Sequence, residues 1–535
     1  MRASVRRLFY REQDKIEMTV TNKQRYRFSE APIWNIQRKY YEEEGLKAWN
    51  NDQVPQYITC NPLIAAAYAE MIFGLLQDRA NKGDNSEPVL IVELGAGAGR
   101  FAFHVLHELC QLIDYVGIAV PPFRYIMTDL AMNNILAWKK HPALQPFIAR
   151  GILDFARFDA VHDTVLNLIV SEATIRKGDL KQPLVIVANY FFDSIPQELL
   201  YVGEGQIYEA DVFVEYPERS DSLKPSELLD QISLHYEHRR APEYEQEAYP
   251  YRDVIATYRE HLEDSHILFP VTALTCLERL NQLSQEGFLL ITADKGDHLL
   301  ENFKFAEPPE LILHGSFSLT ANYHAIQQVL QQNGALALFP PHHYKNINVG
   351  CIIHMNTPMD YSQTRLAYRR FIERFGPDEF FSLKEWVDRN LDSMELQQIL
   401  SFWRLGGYDA EFFIQSTKQI SSLLQDANDE EQQDILQGIQ LLWSSYYVME
   451  QRYDIALEAG LLLFEMEMYE ESKRFLEISI HEDQEEIVST VYYCLAICCF
   501  ELELEEDALK YMRELLKLEP DHEEARALIH RFESV

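Results

Sequence analysis

The sequence predicts an α/β fold, a largely parallel sheet finished by an antiparallel hairpin, with an all-α region after it. Three observations predict this. From Val89 to about Gly296, short apolar runs alternate with helical periodicity, and strands interleaved with helices imply a parallel sheet with right-handed crossovers. Two later runs, Leu336–Phe339 and Val349–Met355, flank Pro340-Pro341-His342-His343-Tyr344-Lys345-Asn346 and read as an antiparallel hairpin. Beyond Thr357-Pro358 only the helical period remains.

The elements follow in order. Residues 1–85 read as a mainly helical segment with a loop near Asp52-Gln53-Val54-Pro55, and the spacing from Pro62 to Leu76 predicts a helix against the sheet. The sheet unit spans 86–356, with strands Val89–Leu94, Phe123–Asp129, Phe155–Phe158, Pro183–Asn189 and Gly287–Ala293. An insertion, 197–265, contains Leu199–Val202 and Ile207–Tyr216 about a Gly203-Glu204-Gly205 turn, a hairpin signature. It stands at the carboxyl edge, where open α/β sheets bind ligands, so it is expected to cap the substrate side; a surface excursion is the alternative. Helices are predicted at Met394–Arg404, Tyr408–Leu424 and Leu441–Met449 within the helical region 357–535.

Bulk properties narrow the function. A chain of 535 residues exceeds one core and implies two or more domains. The net charge of −36 argues against nucleic acid, because phosphate neutralisation needs clustered Lys and Arg. It also disfavours anionic membranes and suits a basic protein segment. No apolar stretch reaches the length of a membrane span. The N-terminal Arg2, Arg6, Arg7 and Arg11 precede no apolar signal core, so the cytoplasm is the expected location. The seven cysteines form no C-x-x-C pair and read as buried thiols, Cys494, Cys498 and Cys499 on an apolar helix face. His342-His343 has no third ligand at metal spacing, so no metal site is expected. No G-x-S-x-G, H-E-x-x-H or G-x-x-x-x-G-K-[ST] motif occurs.

The run Val89–Arg100, VLIVELGAGAGR, carries the chemistry. Glycines let the backbone turn sharply and approach a ligand, and the amides of the following helix can bind a polar group. A dinucleotide fingerprint needs G-x-G-x-x-G, yet Arg100 stands at its third glycine. The pattern E-x-G-x-G-x-G instead resembles the nucleotide loop of class I, Rossmann-like S-adenosyl-L-methionine (SAM) methyltransferases.

That resemblance implies SAM as cofactor, with Gly95, Ala96, Gly97 and Gly99 beside its amino-acid tail and Glu93 beneath its ammonium. Asp129, with the adjacent Leu130, ends the second strand and is expected to accept the ribose hydroxyls; a helix N-cap is the other reading. Asp154 and Asp159 compete for the adenine amine. Asp159-Ala160 holds the strand end, while Asp154 reads as a turn residue. The fourth strand runs into Asn189-Tyr190-Phe191-Phe192-Asp193-Ser194-Ile195-Pro196 at the mouth. Asn189 and Asp193 can hold an acceptor nitrogen or the SAM tail, and Tyr190 supplies a wall. These three are the catalytic candidates, with an N-cap as the alternative for Asp193 and core packing for Phe191 and Phe192.

The same segment is similar to the N-E-x-x-D-A-L-P stretch of MidA-type methyltransferases, a family that includes the mitochondrial complex I assembly arginine methyltransferase. Thr59-Cys60-Asn61-Pro62-Leu63 through Glu70 resembles its T-S-P-E-I-S…G-E-L, and Ser318-Leu319-Thr320-Ala321-Asn322-Tyr323 its D-I-T-A-H-V. The likeness covers roughly residues 30 to 355 and implies methyl transfer to a protein. Two departures stand against it: Tyr190 replaces the family's glutamate, and the P-E-I-S glutamate has no counterpart. Both weaken arginine as acceptor and leave the SAM loop intact.

Leu495-Ala496, Ala508, Met512 and Pro520 fall on the small, apolar and closing-proline positions of a tetratricopeptide repeat (TPR), with Gly460, Ser472 and Leu476 an earlier unit. TPR-like repeats at 453–535 imply a concave protein-binding groove; a plain helical bundle is the alternative. The last 55 residues hold fifteen carboxylates against five Lys or Arg, so such a groove is acidic. The leading expectation is a methyltransferase whose protein acceptor is recruited by these helices. The alternatives are a SAM-binding scaffold with weak or lost transfer, and a small-molecule methyltransferase using the helices to oligomerise.

Overall fold

The computed structural model describes residues 24–50, 54, 56–83, 86–217, 220–449, 453–480 and 488–533. The basic N-terminal arginines, and all of the Asp52–Pro55 loop except Val54, lie outside the described residues.

Seven strands form the main sheet: β1 Val89–Glu93, β2 Phe123–Asp129, β3 Leu153–Arg157, β4 Leu184–Asn189, β9 Gly287–Asp294, β10 Leu336–Leu338 and β11 Asn348–Met355. Their order is β10-β11-β9-β4-β1-β2-β3. β3, β2, β1, β4 and β9 are mutually parallel, while β11 runs antiparallel to β9 and β10. The apolar run of β1 is buried throughout, as a central parallel strand requires. Helix α2 (Pro62–Asn81) begins at Asn61, whose side chain accepts the Ile64 amide, and its apolar face joins the sheet core around Ile91 and Val185. Helix α3 (Arg100–Val116) opens directly from the glycine loop and ends at Gly117, φ 66°.

The third strand departs from expectation. It runs Leu153–Arg157, two residues earlier than the apolar reading, so Asp154 lies inside a strand and not in a turn. Its carboxylate accepts the amides of Phe155, Val170 and Ser171, which satisfies the buried charge locally.

The insertion contains β5 Glu198–Gly203, β6 Gln206–Glu215 and β7 Ser233–Arg240, and β8 Ser265–Phe269 completes its sheet. β6 pairs with β5, β7 and a short N-terminal strand, Arg25–Tyr26. Buried Glu209 pins the assembly, accepting from Arg27 at 2.7 Å, Tyr244 at 2.8 Å and Arg239.

The helical region includes helices Leu396–Leu405 and Ala410–Leu423, near the expected bounds. The third expectation fails: that helix runs Asp429–Ser444, capped at Ser445, and Tyr446–Met449 follow it as irregular chain. Two helix pairs follow, Ile455–Glu465 with Tyr469–Ser479 and Val488–Glu501 with Glu505–Leu518. Gly460 permits close packing, since a Cβ there would come within 2.7 Å of Leu476. Ala496, Ala508 and Met512 recur 36 positions after Gly460, Ser472 and Leu476, against about 34 in the tetratricopeptide pattern. All seven cysteines are buried and free. Among the described residues, no helix is long and apolar enough to cross a membrane, and no three His, Cys, Asp or Glu residues form a metal-holding group.

Candidate functional site

A cavity of about 410 Å³ opens at the carboxyl edge of β1, β2 and β4. It is lined by the cofactor and acceptor candidates Glu93, Gly95, Ala96, Gly97, Gly99, Asp129, Leu130, Asp159, Ala160, Asn189, Tyr190 and Asp193. Asp154 is not among them.

The loop after β1 turns on left-handed residues Gly95, Gly97 and Gly99, at φ 67°, 53° and 83°. Such angles strain any residue with a Cβ. Space is tight as well: at Gly97 a Cβ would come within 3.0 Å of the Trp49 ring, and at Gly99 within 2.9 Å of Met127 Cε and the Tyr447 hydroxyl, so these side chains would have to shift. The Ala96 amide donates to Thr128 O at 2.8 Å and Trp138 Nε1 to Gly97 O at 3.1 Å, so neighbours fix the loop.

Glu93 is buried, with the Tyr125 hydroxyl donating to its Oε2 at 3.1 Å. Burial pushes its carboxyl up to about 8, so it is protonated at neutral pH until a cation meets it. Asp129 accepts the amides of Ala131 at 2.8 Å and Gly97 at 3.3 Å, together with Asn134 Nδ2 at 3.2 Å. Burial raises its carboxyl to about 6 against these hydrogen bonds. The following helix is Met132–Trp138 with Ala131 at its cap, so Asp129 braces that turn without being the N-cap itself.

Asp159 is held from the opposite wall. Arg38 donates twice to its Oδ2, at 2.9 and 2.8 Å, and the Val161 amide donates to Oδ1 at 2.9 Å. Burial alone would raise this carboxyl; His162, Val161 and Arg38 outweigh it and keep it below the usual range.

At the mouth, the Tyr68 hydroxyl donates to Asn189 Oδ1 at 2.6 Å. Asn189 Nδ2 and the Tyr190 hydroxyl are buried and meet no partner among the described residues. Tyr190 holds φ 47°, in the left-handed region that a residue with a Cβ adopts at a cost. No described helix begins after Asp193, which removes its N-cap reading. Its amide donates to Asp294 Oδ2 at 3.2 Å, and both carboxyls are buried. Burial first, then the charge of Asp193, pushes Asp294 far above the carboxylate range, so Asp294 keeps its proton. Phe192 is core, as the packing alternative had it, whereas Phe191 lines the cavity.

The cover comes from an unexpected quarter. No lining residue belongs to the insertion 197–265 beyond its base at Pro196. Trp34, Arg38 and Tyr41 on helix α1 (Ile33–Glu44), with Trp49 after it, close the cavity instead. Sequence periodicity exposes an amphipathic helix but not the strand ends it crosses. Asp294 and Lys295 were also missed, although a carboxylate one residue past the expected end of the fifth strand was a usable signal.

No protein-family model and no curated protein matches the chain. Two solved structures from Burkholderia thailandensis are similar to it. One, an uncharacterized COG1565 superfamily protein, is 15% identical, with TM-score 0.37 over 59% of this chain and 73% of its own. The other, a COG1565 superfamily member bound to S-adenosyl-homocysteine, is 13% identical, with TM-score 0.40 over 75% of this chain and 84% of its own.

Proposed function

We propose that the protein is a class I, Rossmann-like SAM-dependent methyltransferase acting on a protein acceptor. One observation carries the reading: three left-handed glycines at the carboxyl edge sit between a carboxylate ending β1 and another ending β2, all lining one cavity. The sheet order, with its closing antiparallel strand, agrees with that fold.

The donor set fits the cofactor. Glu93 and the loop Gly95–Gly99 would hold the amino-acid tail, Asp129 and Leu130 the ribose, Asp159 and Ala160 the adenine. At Gly97 and Gly99 an added Cβ would crowd the Trp49, Met127 and Tyr447 side chains, which keeps the loop bare. When bound, SAM supplies a methyl group on a sulfonium leaving group. Little covalent work is then left to the protein, and catalysis is positioning and exclusion of water. Trp34, Tyr41 and Trp49 exclude water from above. Asn189 and Tyr190 orient the acceptor through buried polar atoms that meet no partner among the described residues. Asp193 takes the acceptor's proton at its carboxylate, next to the proton held on Asp294. Recruitment falls to the TPR-like helices at 453–535, whose acidic composition suits a basic segment. The MidA-type relationship, and a cytoplasmic location, belong to the same reading.

Tyr190, standing where the family's glutamate would be, favours a second reading: a SAM-binding scaffold with weak or lost transfer. Incubation with methyl-labelled SAM and a lysate lacking the protein's own copy separates the two. Label on a discrete protein band supports the enzyme. SAM binding without label transfer supports the scaffold, and label in a low-mass fraction supports a small-molecule acceptor.

A further inference from the structure

The segment Ser445–Met449 crosses from the helical region onto the sheet unit. Tyr447 is only 2% exposed. Its hydroxyl donates to Ala98 O, inside the glycine loop, at 3.1 Å. Its ring stacks on His141, centroids 3.9 Å apart and planes 7° off parallel. His141 Nε2 lies 2.8 Å from Val448 O, fastening the segment beside the loop. A second contact comes from a different helix. Glu411 Oε1 accepts from both terminal nitrogens of Arg100 at 3.0 Å, and Arg100 Nε donates to Cys60 O at 3.2 Å. Arg100 opens α3, and Cys60 lines the cavity.

We infer that the helical region positions the ligand loop, with Tyr447 acting through the Ala98 carbonyl and Glu411 acting through Arg100. The ligand-side consequence rests on the SAM reading above. Fixing the Ala98 carbonyl fixes the peptide plane it shares with Gly99, and so the direction of the loop amides. Simple packing on α3 needs only apolar contact. Here the polar contacts end on the loop backbone and on the first helical residue. Neutralising buried Arg100 demands a partner, because an unpaired buried charge is costly. That partner is supplied from a region more than 300 residues away in sequence. Since coupling between sites is reciprocal, a ligand that orders the loop also tightens Ser445–Met449.

The test uses the full chain. Tyr447→Phe keeps the ring and removes one hydrogen bond, so S-adenosyl-homocysteine affinity by calorimetry is expected to fall about tenfold. Glu411→Leu is expected to weaken it further, and Glu411→Gln, which keeps an oxygen for Arg100, to restore most of the loss. In the ligand-free Tyr447→Phe protein, amide exchange across residues 94–100 is expected to speed up about tenfold, with β4 unchanged. Unchanged exchange at the loop overturns the inference whether or not the ligand binds; so does an affinity within twofold of wild type. A wild-type chain that binds no S-adenosyl-homocysteine overturns the SAM reading alone, and the exchange comparison still decides this one.

Discussion

The two ends of the cavity are built on opposite principles. At the β1–β2 end, polar groups are already partnered: Asp129 braces Gly97 and Ala131, and Asp159 is clamped by Arg38. At the β4–β9 end, Asn189 Nδ2 and the Tyr190 hydroxyl are buried with no partner among the described residues, Tyr190 holds φ 47°, and the Asp193 amide donates to the buried Asp294 carboxyl. A prearranged end suits a ligand of fixed shape. An end with unmet polar atoms suits a group that arrives only for the reaction, because such atoms are costly to bury unless something completes them.

The sharpest way to break this contrast is at the loop. Gly97→Asp puts a side chain against Trp49 at a φ of 53°, and S-adenosyl-homocysteine affinity should drop by about a hundredfold or more, while circular dichroism of the helices stays unchanged. Asp129→Ala releases the Gly97 and Ala131 amides. It should cost about tenfold in affinity by the same titration.

Glu93 sharpens the contrast through pH. Its carboxyl sits at about 8, so it is protonated at pH 7 and must give up that proton to meet an ammonium. Affinity should therefore rise by about fivefold from pH 7 to 8, with proton release detectable in buffers of different ionisation enthalpy. In Glu93→Gln that pH dependence should vanish.

The smallest effect belongs to the other end. Asp294 has a folded-state value far above its unfolded one, so its contribution to stability is complete below the ordinary carboxylate range and lost as pH rises toward that folded value. Asp294→Asn should melt within a few degrees of wild type near pH 6 and show a flatter loss of Tm between pH 6 and 9. Thermal scans across that range check it.

The prearranged end was also the legible one. β2 was read to the residue, Phe123–Asp129, because the apolar Tyr125-Ile126-Met127 lead into a carboxylate. The glycine loop was legible because its spacing is dictated by backbone angles, a local property. What escaped was long-range. Arg38 reaches Asp159 across 121 residues, and Tyr447 reaches Ala98 across 349. No local pattern encodes either partner. The Leu441–Met449 helix was misread for the same reason: Tyr447, which looked like part of one more turn of helix, leaves it to bury beside Phe103 of α3, while Val448 stays exposed. Asp154 shows a subtler failure, since a carboxylate inside a strand reads as a turn unless the amides that neutralise it are known.

The most direct test of the central claim is a crystal structure of the full chain grown with S-adenosyl-homocysteine. The account predicts its amino-acid tail against Gly95–Gly99 with the ammonium at Glu93, its ribose at Asp129 and its sulfur facing Asn189 and Tyr190. Ligand density outside this cavity, or a cavity left empty at saturating ligand, would contradict it.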